Sequence, residues 1–486
     1  MEALFRFCTG WKTLSPMVLL LILPAFLFAQ APDTVWTKLI GHSTGSWIDE
    51  GIEAVDGGFL ALGMYTKEGT NDWDAWLVRF DAQGDTAWTK LFGGGYGDYG
   101  RDIVRMADTG FVILGKKQTA RYGDYYVWLY GIDTAGNTTW EKIMAKTENP
   151  WGLALAADSG FGIVATLETS VTPMNDIVLI RADSKGDTLW SRRFGGPQAD
   201  DAEAIVATPD AGFLILANTR SYGPGNGDAY LLKVNKHGDS VWARTFGGAQ
   251  WDDCSQIKPT SDGNYLIAGT SYSFGVSGTV YAIKVSPEGT TIWESNVAGP
   301  GGGAFDFTEL PDGGFLLTGA KYPGISSTND VYIVRIDLAG NLLWSKTVGT
   351  RVHESGVCVH QMPDGCSLIV GNYGSSDNIY AIKLTVEPTG VRDTPGGVPR
   401  TVALHQNYPN PFNPSTTITF ELPQSLMVRL CVYDILGREV TVLVDEKRNA
   451  GVHEVTFDAS GLPSGVYPYR LQAGDVTHSK CLILLK

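Results

Sequence analysis

Tryptophan recurs along this chain at a single spacing. It stands at positions 36, 88, 140, 190, 242, 293 and 344, at intervals of 50 to 52 residues. A second marker keeps step with it: Asp56-Gly-Gly-Phe, Asp108-Thr-Gly-Phe, Asp158-Ser-Gly-Phe, Asp210-Ala-Gly-Phe, Asp262-Gly-Asn-Tyr, Asp312-Gly-Gly-Phe and Asp364-Gly-Cys-Ser. A fixed period of this length means that one supersecondary unit is stacked on copies of itself. In the first unit, runs at 50–55, 59–64, 75–80 and 86–92 are separated by the Asp56-Gly-Gly turn, a loop, and a turn around Gly84. Such turns supply the positive φ angles of tight hairpins, so each unit reads as four short antiparallel strands. The second strands, Phe111-Val-Ile-Leu-Gly and Phe213-Leu-Ile-Leu-Ala among them, are apolar throughout instead of alternating, which requires cover on both faces. Four-stranded units near 50 residues, each sandwiched between neighbours, predict an all-β, seven-bladed β-propeller over residues 30–386.

The ends of the array refine this. Tyr380 opens the last third strand, yet twelve residues on stands Arg392 where every other unit has its Trp. The missing fourth strand lies at the other end, where Asp33-Thr-Val-Trp36 matches Asp85-Thr-Ala-Trp88. The N-terminal strand is therefore expected to complete the last blade and remove an open edge. Ahead of it, Arg6 and Lys12 precede the apolar run from Met17 to Phe28, with small Ala29 at its end. That pattern predicts a secretory signal peptide over residues 1–29. No other stretch is long and apolar enough for a transmembrane helix.

Composition excludes some functions. There are 37 Lys and Arg against 52 Asp and Glu, a formal net charge of −15, which argues against nucleic acid as a partner. Five Cys follow the leader. Cys358 with Cys366 and Cys431 with Cys481 are candidate pairs, with buried free thiols as the alternative. No Cys or His spacing points to a metal site. The motifs of serine hydrolases, zinc proteases, Walker NTPases and dinucleotide-binding folds are absent.

After Leu384, the segment 387–399 is a linker by its Pro and Gly content. Residues 400–486 carry eight basic and eight acidic residues, so the acid excess belongs to the array and linker. Strand-like runs at 417–421, 428–433, 440–444, 453–457, 466–471 and 480–485 predict a small β-sandwich. Its motifs run in order: Asn407-Tyr408-Pro409-Asn410-Pro411-Phe412-Asn413-Pro414, then Val432-Tyr-Asp-Ile-Leu-Gly437-Arg-Glu-Val, then Ala450-Gly451-Val-His, then Leu462-Pro-Ser-Gly465-Val-Tyr467. This module resembles the C-terminal sorting domain of type IX secretion cargo. The resemblance implies an Ig-like sandwich, the type IX machinery as partner, and export through the periplasm of a Gram-negative bacterium to the surface or medium. One departure is Pro468, where the family carries an aromatic residue; lacking an N–H, it predicts an edge or a bulge. The array in turn resembles secreted DGGF-repeat propellers, a likeness that names a fold but no activity.

Without a catalytic signature, a binding or surface-structural module is the leading expectation. A polysaccharide hydrolase or lyase with a site assembled from dispersed loops is the alternative. The crossings from one unit to the next fall on one face and carry acids beside aromatics. Candidate ligand residues there are Trp47, Asp49, Asp98, Tyr99, Trp151, Asp200, Asp201, Trp251, Asp252, Asp253 and Asp306. Carboxylates beside aromatic faces suit a carbohydrate. No catalytic residue or cofactor is assigned, and calcium among the acids is left open. Trp47, Trp151 and Trp251 recur irregularly, whereas a purely structural wedge would recur in every unit. The latter two are therefore expected to be stacking platforms.

Overall fold

The computed structural model describes residues 31–385 and 402–484, apart from 41–44, 55–56, 68, 70–71, 95, 107–109, 121–122, 147–148, 169–174, 275–276, 298–300, 323–327, 351, 375–377, 405–406, 408–411, 413, 435–437 and 475. The leader, the linker, and Tyr408, Pro409, Asn410, Pro411, Asn413 and Gly437 of the sorting motif lie outside the described residues. Every described regular element is a β-strand. Before residue 386 these strands form seven four-stranded antiparallel sheets. Six follow sequence order, as in Ser46–Glu53, Phe59–Thr66, Trp73–Phe80 and Thr86–Phe92.

The remaining sheet joins the two ends of the array. Thr34–Ile40 pairs with Asn378–Leu384, placing Thr37 opposite Ile382 and Leu39 opposite Tyr380. Asp33 and Thr385 fasten the junction: the Asp33 N–H donates to Thr385 Oγ1 (3.0 Å) and the Thr385 N–H to the Asp33 carbonyl (2.8 Å). The first strands of successive sheets touch in a closed cycle, with Ser46–Glu53 between Asp98–Met106 and Glu354–Gln361. The first strands are thus innermost and the Trp strands outermost. Apolar clusters fill the gaps between sheets. Ile48 and Phe59 pack with Leu368, Val370 and Met362 across the closure, and Leu60 and Leu62 with Ile113 and Trp128 at the next gap.

The recurring aspartates maintain the turns. Asp81 Oδ1 accepts the N–H groups of Gln83 (2.9 Å) and Asp85 (2.8 Å), while Gly84 takes φ +80°. Among the described residues, five of these turn aspartates (Asp158, Asp210, Asp262, Asp312 and Asp364) receive a buried cation from the third strand, as Lys233 to Asp210 (2.9 Å), Lys284 to Asp262 (2.7 Å) and Lys383 to Asp364 (2.8 Å). Cys254, Cys358 and Cys431 are in no disulfide, so neither candidate disulfide is formed.

In the tail, a three-stranded sheet (Ala403–Leu404, Ser415–Leu422, Gly451–Asp458) and a four-stranded sheet (Leu426–Tyr433, Glu439–Arg448, Gly465–Ala473, Val476–Leu484) share one core. Gly465–Ala473 is an interior strand. Its ladder with Leu426–Tyr433 nevertheless stops at Tyr469, one residue short of Pro468, so no bond to that neighbour is lost to the missing N–H. Phe412 and Tyr467 are buried in this core, and the buried Asn407 donates from Nδ2 to Thr416 Oγ1 (3.0 Å) and from its N–H to the Tyr469 hydroxyl (2.9 Å).

Candidate functional site

Three of the acids expected to meet ligand are fully buried. Asp98 accepts the N–H groups of Gly94 (2.9 Å) and Gln118 (3.1 Å). Asp200 accepts from the Gly196 N–H (2.7 Å), the Ser221 hydroxyl (2.8 Å) and the Thr219 hydroxyl. Asp252 accepts from the Gly248 N–H (2.6 Å), the Ser273 hydroxyl (2.6 Å) and the Ser271 hydroxyl. The Gly-Gly preceding these three crossings is required by this arrangement. Gly247 sits at φ +134°, and a Cβ on it would lie 2.6 Å from both Asp252 Oδ2 and Asp228 Oδ1. These acids fasten their three crossings to their sheets, and Asp98, Asp200 and Asp252 leave the set of residues that could face a carbohydrate. Asp306 leaves it as well: it is buried, ion-paired with Lys258, and accepts the Val359 N–H (3.0 Å). Tyr99 packs between the rings of Trp73 and Tyr125 (centroids 5.6 and 6.0 Å) and lines neither cavity described below.

What reaches the centre instead is a ring of bulges. In each innermost strand the pairing skips one residue: Asp49, Arg101, Trp151, Glu203, Ser255, Phe305 and Val357. A bulge frees a side chain from the ladder and re-aims it. All seven line a central cavity of about 730 Å³. Trp47 lines it too, and Gln256 Nε2 crosses it to Glu50 Oε2 (3.0 Å). The sequence reading passed over Arg101, Glu203, Ser255, Gln256 and Lys258. A signal for the bulges was present, because each stands seven residues ahead of the turn aspartate of its repeat.

This lining holds protons unusually well. Burial pushes Glu203 up to about 8, against the hydrogen bond from Asn218 (Nδ2 to Oε1, 2.9 Å). Burial and then the Asp306 charge push Glu50 up to about 8, and burial pushes Asp102 up to about 7. Asp49 rises to about 6 through burial, although Arg101 lies 3.0 Å away and pulls it down. Burial lowers Lys258, but Asp306 and Glu50 outweigh this and hold its ammonium above the ordinary value.

A second cavity, of about 500 Å³, shares Trp151, Glu203, Ser255 and Phe305 with the first. It brings together four of the expected site residues: Trp151, Asp201, Trp251 and Asp253. Asn175, Asn218, Arg220, Tyr272 and Tyr322 complete its wall. Trp251 is 37% exposed, with the Arg220 guanidinium 4.7 Å above its ring and Gly227 packed close to it. Arg101 lies over Trp151 at the same distance, 4.7 Å. Both tryptophans therefore already carry a stacked arginine. Trp47 and Asp49 line only the central cavity. No group of three or more His, Cys, Asp or Glu able to hold a metal gathers among the described residues.

Residues 406–485 match the family described as the secretion system C-terminal sorting domain. The tail is a sorting domain. With this type IX sorting domain the chain is exported, to the cell surface or the medium. Among the described residues no helix is long and apolar enough to cross a membrane. The chain is 27% identical over 198 residues to the regulatory protein FlaEY of Caulobacter vibrioides, covering 35% of this chain and 20% of that protein. The chain thus spans about a fifth of the length of that curated relative. Similar solved structures include the β-propeller domain of the trilobed protease from Pyrococcus furiosus (10% identity, 73% of this chain and 100% of that one, TM-score 0.43). Another is PorZ, a surface component of the type IX secretion system of Porphyromonas gingivalis (10% identity, 90% and 81% covered, TM-score 0.26).

Proposed function

We propose that this chain is an exported seven-bladed β-propeller that binds a polar ligand, carbohydrate fitting best, and that an Ig-like sorting domain delivers it. The second cavity carries this reading. Trp151, Trp251, Tyr272 and Tyr322 offer aromatic surface there beside Asp201, Asp253, Asn175, Asn218 and Arg220. Sugars present apolar ring faces and hydroxyl edges, and this mixture suits both. A glycan array probed with the purified exported chain tests the reading. Binding should be abolished in the Trp151→Ala plus Trp251→Ala double variant, with the melting temperature held within a few degrees. If the double variant binds as wild type does, or the wild type binds no glycan, the reading fails.

A second reading has its own support. Glu203 stands where the two cavities meet and keeps its proton near neutrality, as a general acid must. A polysaccharide-cleaving enzyme would release product from the bound glycan, and Glu203→Gln would stop turnover while sparing binding.

A further inference from the structure

Four sheets place an aspartate at the same point, two residues ahead of the start of the third-strand core: Asp74, Asp176, Asp228 and Asp330. Their surroundings differ. Asp74 is met by Lys67 Nζ (2.8 Å) and Asp176 by Arg193, while Asp330 is partly exposed. Asp228 is fully buried, and no ion pair to it is found among the described residues. Its Oδ2 accepts the Gly225 N–H (3.0 Å), whereas its Oδ1 has no hydrogen-bond partner. Asp74 Oδ1 also lacks a hydrogen bond, but there Lys67 supplies the compensating charge. A buried carboxylate with neither countercharge nor full hydrogen bonding is costly.

Oxygen atoms surround that vacant lone pair. Asp228 Oδ1 and Asp252 Oδ2 each lie 2.6 Å from the point where a Gly247 Cβ would stand, so they are at most about 5 Å apart. A Cβ on Gly225 would lie 2.5 Å from the Gly248 carbonyl oxygen and 3.1 Å from Asp228 Oδ1, and would press on the Gln250 carbonyl oxygen. Asp252 Oδ2 and the two carbonyl oxygens thus each lie within about 6 Å of Asp228 Oδ1, around two points that only glycine leaves open. Hard divalent cations take such all-oxygen ligand sets, calcium at 2.3–2.6 Å with water completing the shell.

We infer that Asp228 and Asp252, with the Gly248 and Gln250 carbonyls, form a calcium site. The ion stands in for the lysine or arginine that neutralises Asp74 and Asp176. It has a structural consequence for the second cavity. The Gly227 carbonyl accepts the Asp252 N–H (2.9 Å), and Gly227 bridges to Trp251, so a cation at Asp228 braces the wall that carries this tryptophan.

The test uses the exported chain stripped with EDTA. Calcium at 1 mM should raise its melting temperature by several degrees. Terbium should bind with luminescence sensitised by Trp251 and be displaced by calcium. Asp228→Asn should lose both responses, and Asp176→Asn should keep them. Thr245 occupies in this sheet the place of Arg193, facing Tyr230 as Arg193 faces Val178. Thr245→Arg should therefore supply the missing charge and make the melting temperature independent of calcium, even if Asp228→Asn does not fold. Identical melting with and without calcium, absence of terbium luminescence in the wild type, or an undiminished calcium response in Thr245→Arg would overturn the site. None of these readouts involves a glycan, so the site stands or falls apart from the carbohydrate reading.

Discussion

The two ends of one innermost strand do different things. At its start, Asp98, Asp200, Asp252 and Glu354 hold equivalent places and do equivalent work, Glu354 accepting the Thr350 N–H (3.0 Å) much as Asp200 accepts that of Gly196. Three residues further on in the Asp98, Asp200 and Asp252 strands, the bulge carries Arg101, Glu203 or Ser255. Around the whole ring the bulge adds Asp49, Trp151, Phe305 and Val357. Both positions are polar-rich, and both lie near one face. The first recurs because each of these four crossings presents a backbone N–H four residues earlier to be capped. The second varies because a bulged residue is freed from the ladder and faces the central cavity. In a closed repeat, recurrence marks scaffold and variation marks the site.

Three experiments bear on that contrast, beginning with the largest effect. Thr34–Ile40 is a recurring element, so deleting residues 33–41 should cost stability heavily. It strips Trp36 and Ile40 from the core at the closure and leaves Asn378–Leu384 as an open edge. A fall in melting temperature on the order of 10 °C, with association of the chains, is expected from calorimetry and light scattering. Unchanged melting would show that the closing strand is dispensable.

Next, Asp200→Ala should lower stability by roughly 2–4 kcal/mol, because it orphans the buried Thr219 hydroxyl and the half-buried donors of Gly196 and Ser221 at once. Glu203→Ala, three residues away, should cost less than about 1 kcal/mol yet weaken ligand binding. Chemical denaturation of both variants decides the matter. Equal losses would erase the distinction between cap and bulge.

The smallest effect is a slope with pH. Glu50 and Glu203 bind their protons more tightly folded than unfolded, with folded values of about 8 against an ordinary value of 4.5. Between those limits the native state holds more protons, so stability falls as pH rises. The melting temperature should drop by a few degrees from pH 5 to pH 8.5. Glu50→Gln plus Glu203→Gln should flatten this decline. A slope that survives both substitutions would place the titrating groups elsewhere.

Much of the scaffold was legible because it repeats. The interval between Trp88 and Trp140 marked the unit, and the resemblance of Asp33–Trp36 to Asp85–Trp88 located the strand that pairs with Asn378–Leu384. The site was harder to read, for a physical reason. Asp200 and Asp201 look alike as letters, yet strand alternation buries the first and turns the second into the cavity. Glu203 was missed because its exposure depends on a skipped pairing, a property of register rather than of residue type. Trp151 and Trp251, singled out by their irregular recurrence, line the second cavity, while the arginines stacked on them come from other strands and left no local trace. Tyr99 failed the same reasoning because its neighbours, Trp73 and Tyr125, lie outside its own strand.

The closing strand also sets an order of events. Asp33 is tied to a partner 352 positions further along the chain. A segment threaded through a membrane from its N-terminal side emerges with that strand first and waits for its mate until nearly the whole array has followed. Contacts so distant in sequence form slowly. During that interval Thr34–Ile40 stays unpaired and open to self-association. The circle locks only when the latest sheet to form meets the earliest strand to arrive.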